Sequence, residues 1–132
     1  MESSKIKLFD GYYVYKGATS RELEILSVFL TDDVEAGDDT FDIGFRSWSE
    51  NDKFKTLESN ATVLEKIDDY IVLSDKFDLW DDCSEFFDGG KVSLSLEEFL
   101  AILDAWKAAW KKGSDEIILS RVDGLIKIEA SV

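Results

Sequence analysis

The chain has 132 residues, 45% of them apolar and 13% aromatic, enough to bury one core and too hydrophobic for an intrinsically disordered segment. Its 29 acidic and 15 basic side chains leave a formal charge of −14, a sign that repels nucleic acid and anionic membrane and steers a basic protein toward encounter, although acidity also serves solubility alone. The absence of histidine excludes imidazole metal sites and Ser-His or Cys-His catalysis, and a single cysteine, Cys83, excludes an intramolecular disulfide and suits a reducing compartment.

Taken in chain order, Ile6 to Lys16 alternates in part around Asp10-Gly11, a hairpin dipeptide, with Tyr12, Val14 and Tyr15 suited to strands. Glu22 to Thr31 is rich in apolar residues, and Phe41 to Trp48 alternates Phe41, Ile43 and Phe45 with Asp42, Gly44 and Arg46; strand, loop and strand are expected. A helix over Ser20 to Leu30 competes, since Leu23, Leu26 and Leu30 also have helical spacing. Glu50-Asn51-Asp52 marks a turn. Phe54 to Ile67 reads either as a short helix or as a loop before a strand at Ala61 to Lys66, and Tyr70 to Leu73 as a buried strand. Phe77 to Phe87 is an acidic, aromatic connection, partly helical, ended by Gly89-Gly90.

The strongest local signal is Ser95 to Gly113. Ser95 and Glu98 form a capping-box pair, and Leu96, Phe99, Leu100, Leu103, Trp106 and Trp110 recur at three and four as one apolar stripe. Glu97, Ala101, Asp104, Ala105, Ala108 and Lys112 fall opposite, and Gly113 supplies the left-handed stop. Glu116 to Val122 and Leu125 to Ala130 then flank Asp123-Gly124, a two-residue hairpin signature. The expected fold is α+β in a single domain, 1–132: an antiparallel β-sheet with the amphipathic helix, about 95–112, packed on one face and followed by a terminal hairpin. The N-terminal residues carry no apolar run behind a basic start and no stretch approaches membrane-spanning length, so a cytoplasmic protein without membrane attachment is expected.

Asp88 to Phe99 resembles the second half of a calcium loop running into its exit helix. With Gly90 at the loop glycine, however, Phe87 and Gly89 stand at ligand positions without a side-chain oxygen, and Glu97 and Glu98 arrive too late for the bidentate ligand. No metal or cofactor is expected. Carboxylates gather in Asp32, Asp33, Glu35, Asp38, Asp39 and Asp42, and again in Asp75, Asp78, Asp81, Asp82, Glu85 and Asp88. Paired carboxylates serve acid–base catalysis when their environments differ, but both groups read as polar loops without a pocket motif. The second group is interleaved with Tyr70, Phe77, Trp80, Phe86 and Phe87, which suits a protein-binding surface of aromatic anchors and steering charges; inward-pointing aromatics under wet acids are the structural alternative.

The segments Asp75 to Asp88 and Leu94 to Lys112, within a short acidic α+β chain, resemble the immunity proteins of bacterial polymorphic-toxin and contact-dependent growth inhibition systems. The resemblance is one of overall type and carries no residue-specific motif. It implies a non-enzymatic cytoplasmic protein that neutralises a cognate toxin domain, basic in charge and of nuclease type; no family residue carries over, and the acidic, aromatic segment itself is where contact is expected, at Asp75, Asp78, Trp80, Asp81, Asp82 and Glu85. A nuclease offers cationic groups for phosphate, which carboxylates can occupy by charge mimicry. An acidic DNA mimic that inhibits several DNA-binding proteins, and a small carboxylate-dependent enzyme, are the alternatives.

Overall fold

The computed structural model describes residues 2–37, 39–51, 55–76 and 91–130. The fold is α+β, with two antiparallel four-stranded sheets and three α-helices among the described residues. The N-terminal hairpin forms as its turn chemistry dictates: β1 (Ser3–Phe9) and β2 (Tyr12–Ala18) are joined by Asp10 at φ 51° and Gly11 at φ 86°. Both central residues lie in the left-handed region that a tight hairpin turn requires. The C-terminal pair repeats the device, with β7 (Glu116–Val122) and β8 (Leu125–Ala130) joined by Asp123 at φ 52° and Gly124 at φ 80°. The two hairpins unite because β1 pairs with β7, Ile6 opposite Ile117, giving the strand order β2-β1-β7-β8.

Residues 21–34 and 39–51 are helical, which corrects the expected strand, loop and strand and bears out the competing helix over Ser20 to Leu30. Ser20 accepts a hydrogen bond from the Leu23 N–H at 3.3 Å and caps α1 (Arg21–Val28), which continues as a π-helical turn, Phe29–Val34. The Glu35 N–H closes that turn on the Leu30 carbonyl, five residues back, at 3.0 Å. The misreading has a physical cause: α1 touches β1, β2 and β7 on one side and β5 and β6 on the other. It therefore buries Leu23, Ile25, Leu26 and Ser27, and the π-helical turn adds Phe29 and Leu30; a helix packed between two sheets lacks the one-sided apolar stripe that identifies a surface helix.

In α2 (Asp39–Asn51) the apparent strand alternation was coincidental. Phe41 and Ile43 are exposed, while Phe45, Trp48 and Ser49 fall with Asp42 on one helical face. Phe45 meets Phe29 edge-on at 4.9 Å, and Phe29 approaches Phe99 at 6.1 Å, so the aromatic centre joins α2, the π-helical turn and the late helix.

The second sheet has the order β3-β4-β5-β6. Its strands are β3 (Thr56–Glu58), β4 (Thr62–Ile67), β5 (Tyr70–Asp75) and β6 (Lys91–Ser95). For Phe54 to Ile67 the loop-and-strand alternative holds over β4, and β5 matches the buried strand expected at Tyr70. The sequence reading missed β3 and β6, although Val92 and Leu94 alternate inward against Lys91 and Ser93. Gly89-Gly90 and the connection Phe77 to Phe87 lie outside the described residues.

The late helix, α3 (Leu96–Lys111), forms as its sequence requires. The Glu98 N–H donates to Ser95 Oγ at 3.1 Å and the Ser95 N–H to Glu98 Oε1 at 3.4 Å, completing the capping box. Gly113, at φ 70°, terminates it. Phe99, Leu103 and Trp106 are buried as expected, Leu96, Leu100 and Trp110 only in part, and Ile102 and Ala109 widen the buried stripe. Trp106 meets Tyr13 edge-on at 5.9 Å, and the Tyr13 hydroxyl donates to the Ser114 carbonyl at 2.7 Å, fastening the helix end to β2. Because α3 packs on β8 of the first sheet and on β5 and β6 of the second, it and α1 carry both sheets on one core.

Candidate functional site

Two polar features emerge at opposite ends of β5. At its C-terminal end, Asp75 lines a cleft of about 250 Å³ with Tyr15, Arg21, Glu24, Ile25, Val28, Ala61 and Thr62. Arg21 occupies the first position of α1, where the helix dipole disfavours a cation, and two carboxylates offset that cost. It pairs with Glu24 on its own helix and donates to Asp75 Oδ2 at 3.1 Å across to the second sheet. Tyr15 of the first sheet donates to Glu24 at 3.3 Å, and the Tyr15 hydroxyl is held above its usual pKa by burial first and the neighbouring Glu24 second. The chain Tyr15–Glu24–Arg21–Asp75 thus laces the first sheet, α1 and the second sheet together. Both carboxylates pair with the same guanidinium, so the arrangement joins the two sheets through α1.

At the other end, β4 turns into β5 through Asp68 and Asp69, with Asp68 at φ 56°. The four residues Ile67, Asp68, Asp69 and Tyr70 are all exposed, Ile67 by 50% and Tyr70 by 52%. The Asp69 carbonyl accepts from the Leu96 N–H at 3.1 Å and Tyr70 lies opposite Ser95, so the tip stands against the start of α3, beside the exposed Glu97. Asp68, Asp69 and Glu97 make no ion pair among the described residues. An aromatic and an aliphatic side chain flanked by uncompensated carboxylates form a surface able to meet a cationic, partly apolar one.

Of the residues expected at the contact, Asp75 is placed, half-buried against Arg21; Asp78, Trp80, Asp81, Asp82 and Glu85 lie outside the described residues, as does Cys83. Asp75 and Tyr70 are separated by roughly 17 Å at the rise of an extended strand. The tip itself was legible as two aspartates between two strand-like runs, a signal that the larger acidic segment downstream obscured.

The first carboxylate group is not the polar loop that its sequence suggested. Asp32 and Asp33 lie in the π-helical turn and Asp39 and Asp42 in the first turn of α2, where acids favour the helix dipole. Asp42 pairs with Arg46 at 2.9 Å, and Arg46 also binds Asp104 of α3. Asp33 is buried; its Oδ1 accepts from the Ala61 N–H at 2.9 Å, while Oδ2 has no hydrogen-bond partner among the described residues. Burial raises its pKa above the ordinary carboxylate value, an effect that the nearby Thr62 hydroxyl and the Ala61 N–H oppose. No group of three or more potential ligands is placed to hold a metal ion among the described residues, and no helix there is long and apolar enough to cross a membrane.

No protein-family model, curated protein or solved structure matches this chain.

Proposed function

We propose that this protein is a cytoplasmic inhibitor of the immunity type, which binds a basic bacterial toxin domain and blocks its active site or substrate surface. The observation that carries the reading is the Ile67–Tyr70 tip: two apolar side chains, each about half exposed, set among three carboxylates that make no ion pair among the described residues, in a chain of charge −14. Tyrosine is enriched where binding energy concentrates, and the carboxylates raise the encounter rate with a cationic partner. A nuclease is the toxin class that the charge favours, because its phosphate-binding cations are the natural complement of an acidic surface. The segment Asp75 to Glu85 is the other candidate contact.

The test is to purify the C-terminal domain of whatever protein is encoded immediately upstream of this gene and titrate it with this protein at low and high salt. One-to-one binding that weakens with salt and suppresses the domain's activity is expected. Asp68→Lys with Asp69→Lys, or Tyr70→Ala, should each weaken binding by at least about tenfold. If reversal at Asp78, Asp81, Asp82 and Glu85 abolishes binding while the tip variants do not, the contact lies on the downstream segment. Absence of binding to the toxin domain would defeat the immunity reading, and inhibition of several unrelated DNA-binding proteins would replace it with DNA mimicry.

A further inference from the structure

The outward face of the first sheet has the opposite character to the rest of the molecule. Strand alternation turns Ile6, Ile117 and Leu119 into the core and leaves Lys5, Lys7, Lys16 and Lys127 on the other side, with Glu116 and Glu129 as its carboxylates. Four lysines against two glutamates give this face a net charge of +2 in a chain of −14. At the hairpin end stand Phe9 and Tyr12, a cross-strand pair exposed by 68% and 76%. Singly exposed apolar residues are ordinary, but a cross-strand pair of exposed aromatics flanking the Asp10-Gly11 turn, with Lys16 beside Phe9, forms an uncovered anchor.

Between β1 and β2 the register shifts after Lys5, which leaves Lys16 as the extra residue of a β-bulge. Gly17, at φ 153°, follows it in a conformation that side-chain-bearing residues rarely adopt. The bulge opens a depression of about 310 Å³ lined by Ser3, Lys5, Lys16, Gly17, Thr19 and Ile118. Lys5 and Lys7 share Glu116 at 3.9 and 3.8 Å, and Lys127 lies 3.4 Å from Glu129. Lys16 has no carboxylate partner among the described residues and stands 6.0 Å from the Phe9 ring centre.

We propose that this face is a second docking surface, for an acidic polypeptide segment that places a carboxylate in the depression between Lys5 and Lys16 and lays apolar side chains over Phe9 and Tyr12. The pattern of charge selects a polypeptide over a nucleic acid. A polyanion charged at every nucleotide must also meet Glu116 and Glu129, whereas a polypeptide can set single carboxylates against single lysines and leave those positions uncharged. The surface is independent of the Ile67–Tyr70 tip, so it stands or falls apart from the toxin-binding reading.

The probe is a fluorescein-labelled synthetic peptide in which glutamates flank a leucine and a phenylalanine, titrated by anisotropy beside labelled oligo(dT), with sedimentation of the protein alone as a third arm. Saturable one-to-one binding of the peptide is expected. It should weaken by at least about tenfold in Lys5→Glu/Lys16→Glu and in Phe9→Ser/Tyr12→Ser, and stay unchanged in Asp68→Lys/Asp69→Lys. Thermal melts matching the parent establish that the variants are folded. The proposal is overturned if the peptide does not bind, if both face variants bind as the parent does, if oligo(dT) binds more tightly than the peptide, or if self-association that the same substitutions abolish occupies the face.

Discussion

The first sheet closes the ends of the chain on each other, Ser3 opposite Ser120, whereas in the second β3, β4 and β5 follow one another through short turns. Both rest on α1 and α3, yet they meet solvent with different chemistry: lysines and two aromatic rings on the first, a carboxylate-flanked tip on the second. The difference shows that a net charge of −14 is not a description of the surface. The lysines of the first sheet's outward face and the carboxylates of the second sheet's tip stand on different elements. It also separates two energetic problems, because long-range strand closure is entropically harder than hairpin closure and must be supported by the helices between the sheets.

The largest expected effect tests whether the two sheets are one cooperative unit. Leu103 is fully buried on α3, so Leu103→Asp loses roughly 2–5 kcal/mol of packing and buries an unpaired charge besides, a loss comparable to a domain's whole stability. The cooperative melt should disappear. Hydrogen exchange that showed one sheet still protected would establish that the sheets fold separately.

The Asp33 anchor between the π-helical turn and Ala61 comes next. Asp33→Ala, which leaves the buried Ala61 N–H unpaired, should cost roughly 1–3 kcal/mol, while Asp33→Asn keeps the acceptor and should remain near the parent. The sign of its pH dependence follows from the raised pKa: the carboxyl's stabilising contribution is full below the ordinary value of 3.8 and is lost as pH rises through the higher folded value. The stability of Asp33→Asn relative to the parent should therefore increase with pH across that window. Denaturant melts at a series of pH values would contradict this assignment if the difference were flat or fell.

A double-mutant cycle probes the joint between the halves more finely. Arg21→Met and Asp75→Asn, alone and together, should show a coupling of roughly 1 kcal/mol, since the pair is hydrogen-bonded but only partly shielded from water. Additivity would mean that the cleft merely accommodates the two residues. Ser95→Ala should cost about 1 kcal/mol by removing the cap of α3. Smallest of all, Lys5→Glu lies on the exposed face and should shift stability by no more than about 0.5 kcal/mol, which is what allows its binding effect to be read cleanly.

Much of the site was less legible than the fold. Tyr70 stood out in the sequence as an aromatic among acids, but its partners did not: Glu97 reaches it only through the pairing of β5 with β6, and β6 itself was missed. Asp75, expected at the contact, is held by Arg21, a partner 54 positions away that no local pattern connects to it. The basic face of the first sheet was invisible for the same reason, since Lys5, Lys16 and Lys127 come together only through register.

Local chemistry alone determined the α3 helix, through the Ser95–Glu98 box, its apolar stripe and Gly113, and the two hairpins, through Asp10-Gly11 and Asp123-Gly124. Each of these rests on hydrogen bonds and dihedral preferences within a few residues, so each is written where it acts. Tertiary structure decided the helical state of residues 21–34 and 39–51, the union of the N- and C-terminal hairpins and the gathering of lysines on the outward face of the first sheet. Burial between the sheets removes the one-sided periodicity that marks a helix, and strand pairing across more than a hundred residues has no local signature; both are settled only when the whole core closes.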